Sequence, residues 1–216
     1  MNKRSELAKA IEKAICWNHG GKMEGMVSLS TSPLKNEFCM NRCKNADTIC
    51  AHCFSMNLQS MRKELKEKLI RNTDLLCGSI IPVQDMPLLN VRYFRLESFG
   101  DLQNTIQVQN YVNLCKRNPH TTFALWTKNP FIIRNAMRDG LKKPSNLIVI
   151  YSSPIMNKQT DIDRMKAAFP FIDKVFTVYD KEHAAGVEIN CGARHCMSCL
   201  KCYKKRTTAV INEQLK

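Results

Sequence analysis

Cysteines stand close together at two places in the chain. The first is FCMNRCKNADTICAHCF, residues 38–54, spaced Cys39-x3-Cys43-x6-Cys50-x2-Cys53. The second is spaced Cys191-x4-Cys196-x2-Cys199-x2-Cys202. Eight of the 11 cysteines fall in these two groups. Thiolates are soft ligands that suit zinc and iron–sulfur clusters, and neighbouring thiols can also pair as disulfides. The remaining three, Cys16, Cys77 and Cys115, lie in apolar or helical stretches and read as core residues. His52 and His195 each directly precede a cysteine of a group. Histidine there can ligate a metal or tune one through a hydrogen bond, although an exposed loop histidine fits equally well.

Spacing separates the choices for the second group only. Structural zinc sites usually pair two CxxC-like knuckles across a spacer of roughly a dozen residues or more. The CxxCxxC core of Cys196, Cys199 and Cys202 lacks that plan and resembles the run that wraps a cubane in ferredoxins. An iron–sulfur cluster is therefore favoured over zinc, and zinc over disulfides. Cys191, or a cysteine from elsewhere, is the fourth candidate ligand. The first group is typical of neither class, and its spacing alone leaves zinc and cluster both open.

Composition agrees with metal rather than disulfides. The 216 residues are 44% hydrophobic, enough for one good-sized core. No run of about 18 apolar residues is present, so a membrane partner is not expected. The opening MNKRSELAKAIEKAICW carries recurring charge and no long apolar core, so it does not read as a signal peptide. The expected location is the cytoplasm, where thiols stay reduced, and an odd cysteine count also argues against complete pairing. The net charge is +14, from 33 Lys and Arg against 19 Asp and Glu. Such a surface suits nucleic acid or an acidic protein partner, though a solvated Lys-rich surface is the plainer reading. No basic run is interleaved with aromatics as a base-stacking platform requires.

The elements that must position these cysteines follow from periodicity. Residues 3–17 read as an amphipathic helix with Leu7, Ala10, Ile11, Ala14 and Ile15 on one face. A strand is expected at 26–30, followed by the cysteine loop, and a helix at 57–72 with Met61, Leu65 and Leu69 inward. Strands at 91–97, 121–126, 147–151 and 174–179 then alternate with helices at 105–117, 130–139 and 161–169. The fold expected is α/β, a partial (β/α) barrel or open parallel sheet, with about five strands where a full barrel has eight. Residues 1–185 form that domain, with an N-terminal helix and the cysteine loop at 36–56. Residues 186–216 form a cysteine-rich C-terminal appendage.

A cysteine loop after the first strand of a βα repeat resembles that of radical SAM enzymes. In that family three cysteines spaced CxxxCxxC hold a [4Fe–4S] cluster, and the fourth iron takes S-adenosylmethionine. Here Cys39-x3-Cys43 and Cys50-x2-Cys53 keep both halves, but KNADTI stands between them. Which three thiols would ligate, or whether all four do, stays open. The family also carries a Gly-Gly-Glu-like motif at the end of its second strand, where it meets the amino group of S-adenosylmethionine. Ser98-Phe-Gly100-Asp101 stands in that place, and an ordinary Gly-Asp turn is the plain alternative. The resemblance implies that Asp101 supplies the carboxylate and Gly100 the close backbone approach. Lys128 in LWTKNP and Ser152 in VIYSSP would line the same pocket, since strands that end in small polar residues suit a ligand-facing sheet edge.

The sequence is also similar, over about residues 25–205, to the phage "gene product 88" family. The matching segments are Cys53-Phe-Ser, Ser98-Phe-Gly-Asp-Leu, Trp126-Thr-Lys128 and Cys196-x2-Cys199-x2-Cys202-Tyr203. Together the resemblances imply a radical-SAM-like scaffold. Cys39, Cys43, Cys50 and Cys53 would hold one [4Fe–4S] cluster, and Cys191, Cys196, Cys199 and Cys202 an auxiliary one. A reductant protein would be a partner if S-adenosylmethionine is cleaved reductively. Four thiols in the first group, rather than three, favour the alternative of a non-catalytic iron–sulfur electron-transfer or sensor protein. A zinc-stapled, basic nucleic-acid-binding protein, with Lys201, Lys204, Lys205 and Arg206 in its tail, is the third reading.

Overall fold

A segment such as TFALWT buries little by itself; a strand must be paired along its edges and covered on its faces. The computed structural model of the chain, which describes residues 6–215, pairs seven strands in one sheet. They are β1 (Cys16–Trp17), β2 (Val27–Leu29), β3 (Tyr93–Leu96), β4 (Thr122–Thr127), β5 (Leu147–Ser152), β6 (Lys174–Tyr179) and β7 (Val210–Gln214). Their order in space is their order in sequence. β1 runs antiparallel to β2, and every later pair is parallel.

Parallel neighbours need a crossover between them. The eight α-helices are α1 (Glu6–Ala14), α2 (Glu37–Arg42), α3 (Phe54–Met61), α4 (Lys63–Gly78), α5 (Thr105–Arg117), α6 (Pro130–Arg138), α7 (Ile162–Ala168) and α8 (Cys196–Cys199) among the described residues. Residue types set several of their ends. Asn104 accepts the Gln107 amide to cap α5, and Asp161 caps α7 through the amides of Asp163 and Arg164. Pro130 opens α6, where its missing N–H costs nothing.

Because the strand order never reverses, the winding never switches, and the crevice of a doubly wound sheet does not arise. The longer helices α1, α4, α5 and α6 gather on one face instead. There Ile11 of α1, Leu76 of α4, Val108 and Tyr111 of α5 and Ile133 of α6 pack on Phe94, Leu96, Phe123, Leu125, Leu147 and Val149. The opposite face presents Ala124, Trp126, Ile148 and Ile150, and it is covered by Met26 and Tyr203. Met23, Cys196, Leu200 and Cys202 pack against this second cluster. This opposite face, whose packed helix is the four-residue α8, is thus where the second cysteine group lies.

The sheet is open, with β1 and β7 at its ends, so the open-sheet expectation holds. Several finer expectations need correction. The first helix ends at Ala14, and Cys16–Trp17 is a short edge strand; residues 3–5 lie outside the described residues. The helix expected at 57–72 is two helices, broken at Arg62, whose φ of −125° and ψ of 94° are extended. That break takes Met61 off the buried stripe and leaves it 72% exposed, while Leu69 and Leu76 stay inside. Five strands were expected and seven form. The added two are a two-residue strand and VINEQ, whose polar residues hide its pattern. Residues after 186 also contribute to the sheet itself, through β7 beside β6.

Candidate functional site

The first cysteine group follows β2 and is built by short polar caps. Asn36 accepts the Phe38 amide at 3.0 Å and starts α2, which carries Cys39, and Cys43 closes that helix. KNADTI then forms a tethered turn. Asn45 Oδ1 accepts the Asp47 amide at 3.0 Å, and Thr48 Oγ1 donates to the Asn45 carbonyl at 2.9 Å. Thr48 pairs with Ile155 as an isolated bridge, and the Ile49 amide donates to the Pro154 carbonyl at 2.9 Å. The insertion is thereby fastened to the end of β5. It leads into the 3₁₀ turn Ile49–His52 that carries Cys50, and Cys53 begins α3. Burial pushes Cys43 up to about 11, with Cys53 and Cys50 adding to it. Burial also raises Cys39, aided by the Asp101 carboxylate, and raises Cys50.

The end of β3 supplies the next wall. Glu97 follows its last residue in the left-handed region, at φ 56°, and is buried. Its carboxyl accepts from the Thr31 amide at 3.2 Å, from Gln107 Nε2 at 2.7 Å, from Thr31 Oγ1 and from the Tyr111 hydroxyl. Burial pushes it up to about 7, against the pull of the Tyr111 and Thr31 hydrogen bonds. Gly100 packs under this group: a Cβ there would stand 2.6 Å from the Thr31 carbonyl oxygen and 2.9 Å from Glu97 Oε2. Only glycine fits without moving backbone.

Asp101 is buried and ties the ends of β3 and β4 together. Its Oδ1 accepts from the Leu102 amide at 2.7 Å and from Thr127 Oγ1 at 2.5 Å, and its Oδ2 from the Lys128 amide at 2.8 Å. Burial raises its carboxyl, and Lys128 is the strongest opposing influence. Both oxygens therefore already hold donors from its own turn and from β4.

The second group hangs on β7. The Cys191 amide donates to the Asn212 carbonyl at 2.9 Å, and Asn190 Oδ1 accepts the Asn212 amide at 3.1 Å. Lys22 pairs with Glu213 and reaches Cys191 Sγ at 3.2 Å. Although burial disfavours its charge, Glu213 and Cys191 hold the Lys22 ammonium well above its ordinary value. α8 is stopped by Leu200 at φ 55°, and the next turn, Lys201–Tyr203, sends Tyr203 onto Trp126 and Tyr93. Burial pushes Cys202 up to about 12 and also raises Cys196; Arg95 is the largest opposing influence on both. His195 lies 3.3 Å from the Gly21 carbonyl, which ties α8 to the turn before β2.

These pieces surround one cavity of about 510 Å³. Cys50 and Cys53 line it from the first group; Cys191, Cys196 and Cys202 line it from the second. Gly100, Asp101, Lys128 and Ser152, expected from four different places in the sequence, all line it as well. His52 is also in the wall. Cys39, Cys43 and Cys199 are outside the wall, but Cys39 stands near enough to Asp101, Glu97 and Cys50 to feel their charge. Sequence reasoning missed Arg95, Glu97, Trp126 and Tyr203, which also line the cavity. The signal for Arg95 was present: an arginine inside an apolar strand, in the same side-chain parity as Tyr93. Glu97 gave none, because its exit from the strand depends on a left-handed backbone.

All of these cysteines are free thiols, and each of the eight is part-buried. Two sets of four part-buried soft donors, five of the eight lining a common cavity, suit thiolate-bound metal centres. Among the described residues no three His, Cys, Asp or Glu side chains converge tightly enough to hold one metal ion. The thiols are gathered around the cavity rather than closed on a single point. No helix among the described residues is long and apolar enough to cross a membrane.

The family described as Gene product 88 matches residues 2–214 of the chain. No curated protein and no solved structure is similar enough to match.

Proposed function

The chain belongs to the Gene product 88 family, and we propose that it is an iron–sulfur protein that binds S-adenosylmethionine in the cavity between its two cysteine groups. The observation that carries this reading is the convergence itself. Thiols from residues 50–53 and 191–202 meet Gly100, Asp101, Lys128 and Ser152 around one space at the ends of parallel strands. A volume of about 510 Å³ lies within the range of small-molecule sites, roughly 300–1,000 Å³.

Cys39, Cys43, Cys50 and Cys53 would hold one [4Fe–4S] cluster, and Cys191, Cys196, Cys199 and Cys202 a second. When bound, such a cluster supplies one-electron transfer, and with S-adenosylmethionine it can supply reductive cleavage. The chain's own residues bind and orient. Gly100 lets Thr31 and Glu97 pack against the backbone of the cavity wall, and Ser152 offers a hydroxyl from the end of β5. Lys128 offers an ammonium, and Asp101 has one lone pair left on Oδ2. Phe54 and Phe99, with ring centroids 5.9 Å apart, stand in the wall with Trp126 and Phe176 and exclude water. A chain of net charge +14 suits an acidic reductant protein as electron donor.

Two observations favour a second reading. The Asp101 carboxylate already serves Leu102, Thr127 and Lys128, and the first group holds four thiols where three would leave an iron free. Both fit a non-catalytic electron-transfer or sensor protein on the same scaffold.

Anaerobic purification followed by iron, sulfide and zinc analysis tests the common part: iron and sulfide are expected, and zinc without iron overturns both readings. Addition of S-adenosylmethionine and dithionite separates them. A change in the cluster's EPR signal with methionine release supports the enzyme; an unchanged signal with intact S-adenosylmethionine supports the second reading.

A further inference from the structure

Two buried donors beside the second cysteine group have no acceptor. Arg95 projects from β3 onto the face covered by the second cysteine group, with its guanidinium carbon 4.0 Å above the Trp126 ring. One terminal nitrogen lies 3.3 Å from Met23 Sδ. Its Nε is sealed from solvent and makes no hydrogen bond among the described residues. The Tyr203 hydroxyl is in the same condition, on a side chain only 5% exposed. Trp126 joins them, its ring centroid lying 6.1 Å from that of Tyr203. No carboxylate pairs with Arg95 among the described residues. A sealed guanidinium N–H and a buried hydroxyl that both lack an acceptor are costly, so native proteins rarely leave them side by side.

The anion that would complete them has a restricted identity. Both side chains line the cavity, but the two unpaired atoms themselves are sealed from solvent and face protein groups. The groups packed here are Cys196 and Cys202, in one cluster with Trp126 and Tyr203. Arg95 stacks on that same Trp126 and lines the cavity wall with both cysteines.

We propose that Arg95 and Tyr203 are positioning residues for the metal–thiolate centre of the second cysteine group. Arg95 supplies a counter-charge and an N–H, and Tyr203 an O–H, to the sulfurs of Cys196 and Cys202. The inference rests on the reading that this group binds metal. For an iron–sulfur cluster its consequence is a raised reduction potential, because a cation and donors to sulfur stabilise the more negative, reduced state. The first cysteine group, without these two donors, is left unaffected.

The test uses the full chain, purified anaerobically, as wild type and as Arg95→Gln, Arg95→Lys and Tyr203→Phe. The signal of the second group is the one that Cys199→Ser abolishes. In an EPR-monitored redox titration its midpoint is expected to fall in Arg95→Gln and, by less, in Tyr203→Phe. Arg95→Lys, which keeps the charge, is expected to fall between wild type and Arg95→Gln. An unchanged midpoint in Arg95→Gln and Tyr203→Phe, with iron and sulfide at the wild-type level, overturns the inference. Zinc in the wild-type protein would remove the iron–sulfur reading but not this one. Zinc loss to a chelator is then expected to be about 10-fold faster or more in Arg95→Gln, and equal rates overturn it. A second group with no metal of either kind overturns both.

Discussion

Asn36 holds Asp101: its Nδ2 donates to the Asp101 carbonyl at 2.9 Å, while its Oδ1 caps the helix that carries Cys39. One buried amide thus fixes the first cysteine loop to the strand end that faces the cavity. Asn36→Ala removes both bonds and is expected to cost about 1–2 kcal/mol of stability. It is also expected to lower metal at the first group while sparing the second. Urea unfolding and metal analysis of the variant check this, and equal loss from both groups would show that the tether is not local.

Asp101 gives a second outcome that separates structure from ligand binding. Its carboxylate holds three donors with no ligand involved. Asp101→Asn puts an amide N–H against at least one of them, so the ligand-free protein is expected to lose about 1–3 kcal/mol. Wild-type stability in the ligand-free variant would mean that the carboxylate matters only when something is bound.

At Gly100 a methyl group has nowhere to go. The nearest obstacle is the Thr31 carbonyl oxygen, which belongs to backbone and cannot rotate aside. Gly100→Ala is expected to cost about 1–3 kcal/mol through forced displacement. Thermal unfolding measures it. A change below a few tenths of a kcal/mol would mean that the segment after β2 yields easily.

The cysteine groups can be separated by substitution. Cys53→Ala and Cys199→Ala are each expected to lower bound iron by roughly half, since each group would hold a cluster of its own. Loss of all iron from either variant would mean a single centre shared across the cavity.

Much of this arrangement was legible in residue order. β5 and β6 announced themselves as apolar and β-branched runs, and α6 by its opening proline. Cys50, Cys53, Asp101, Lys128 and Ser152 were marked by chemistry or by their place at strand ends. The rest depended on three-dimensional closure. β7 is recognisable only because β6 offers it an edge, and the Arg62 break is set by how α3 and α4 dock. Glu97 reads as a strand residue until its backbone turns left-handed at φ 56°. That the two cysteine groups face one cavity could not be read from residues some 140 positions apart, because sequence carries no signal of which sheet face a late loop will cover.

Glu97 makes stability depend on pH in a direction opposite to that of an ordinary paired carboxylate. Burial pushes its folded-state value up to about 7, from an ordinary 4.5. Between those two values the folded chain holds more protons than the unfolded one, so stability falls as pH rises. Below about 4.5 both states are protonated and nothing is lost, and above about 7 the loss is complete and constant. Glu97→Gln cannot ionise and removes this slope, whatever fixed offset its altered hydrogen bonds to Tyr111, Gln107 and Thr31 introduce. Urea unfolding of both proteins across pH 4.5–8 is expected to show the difference moving in favour of the variant as pH rises, by up to a few kcal/mol, then levelling above about 7. A difference that stays flat across the window would mean that the four donors around Glu97 keep it ionised throughout, with burial outweighed by its hydrogen bonds.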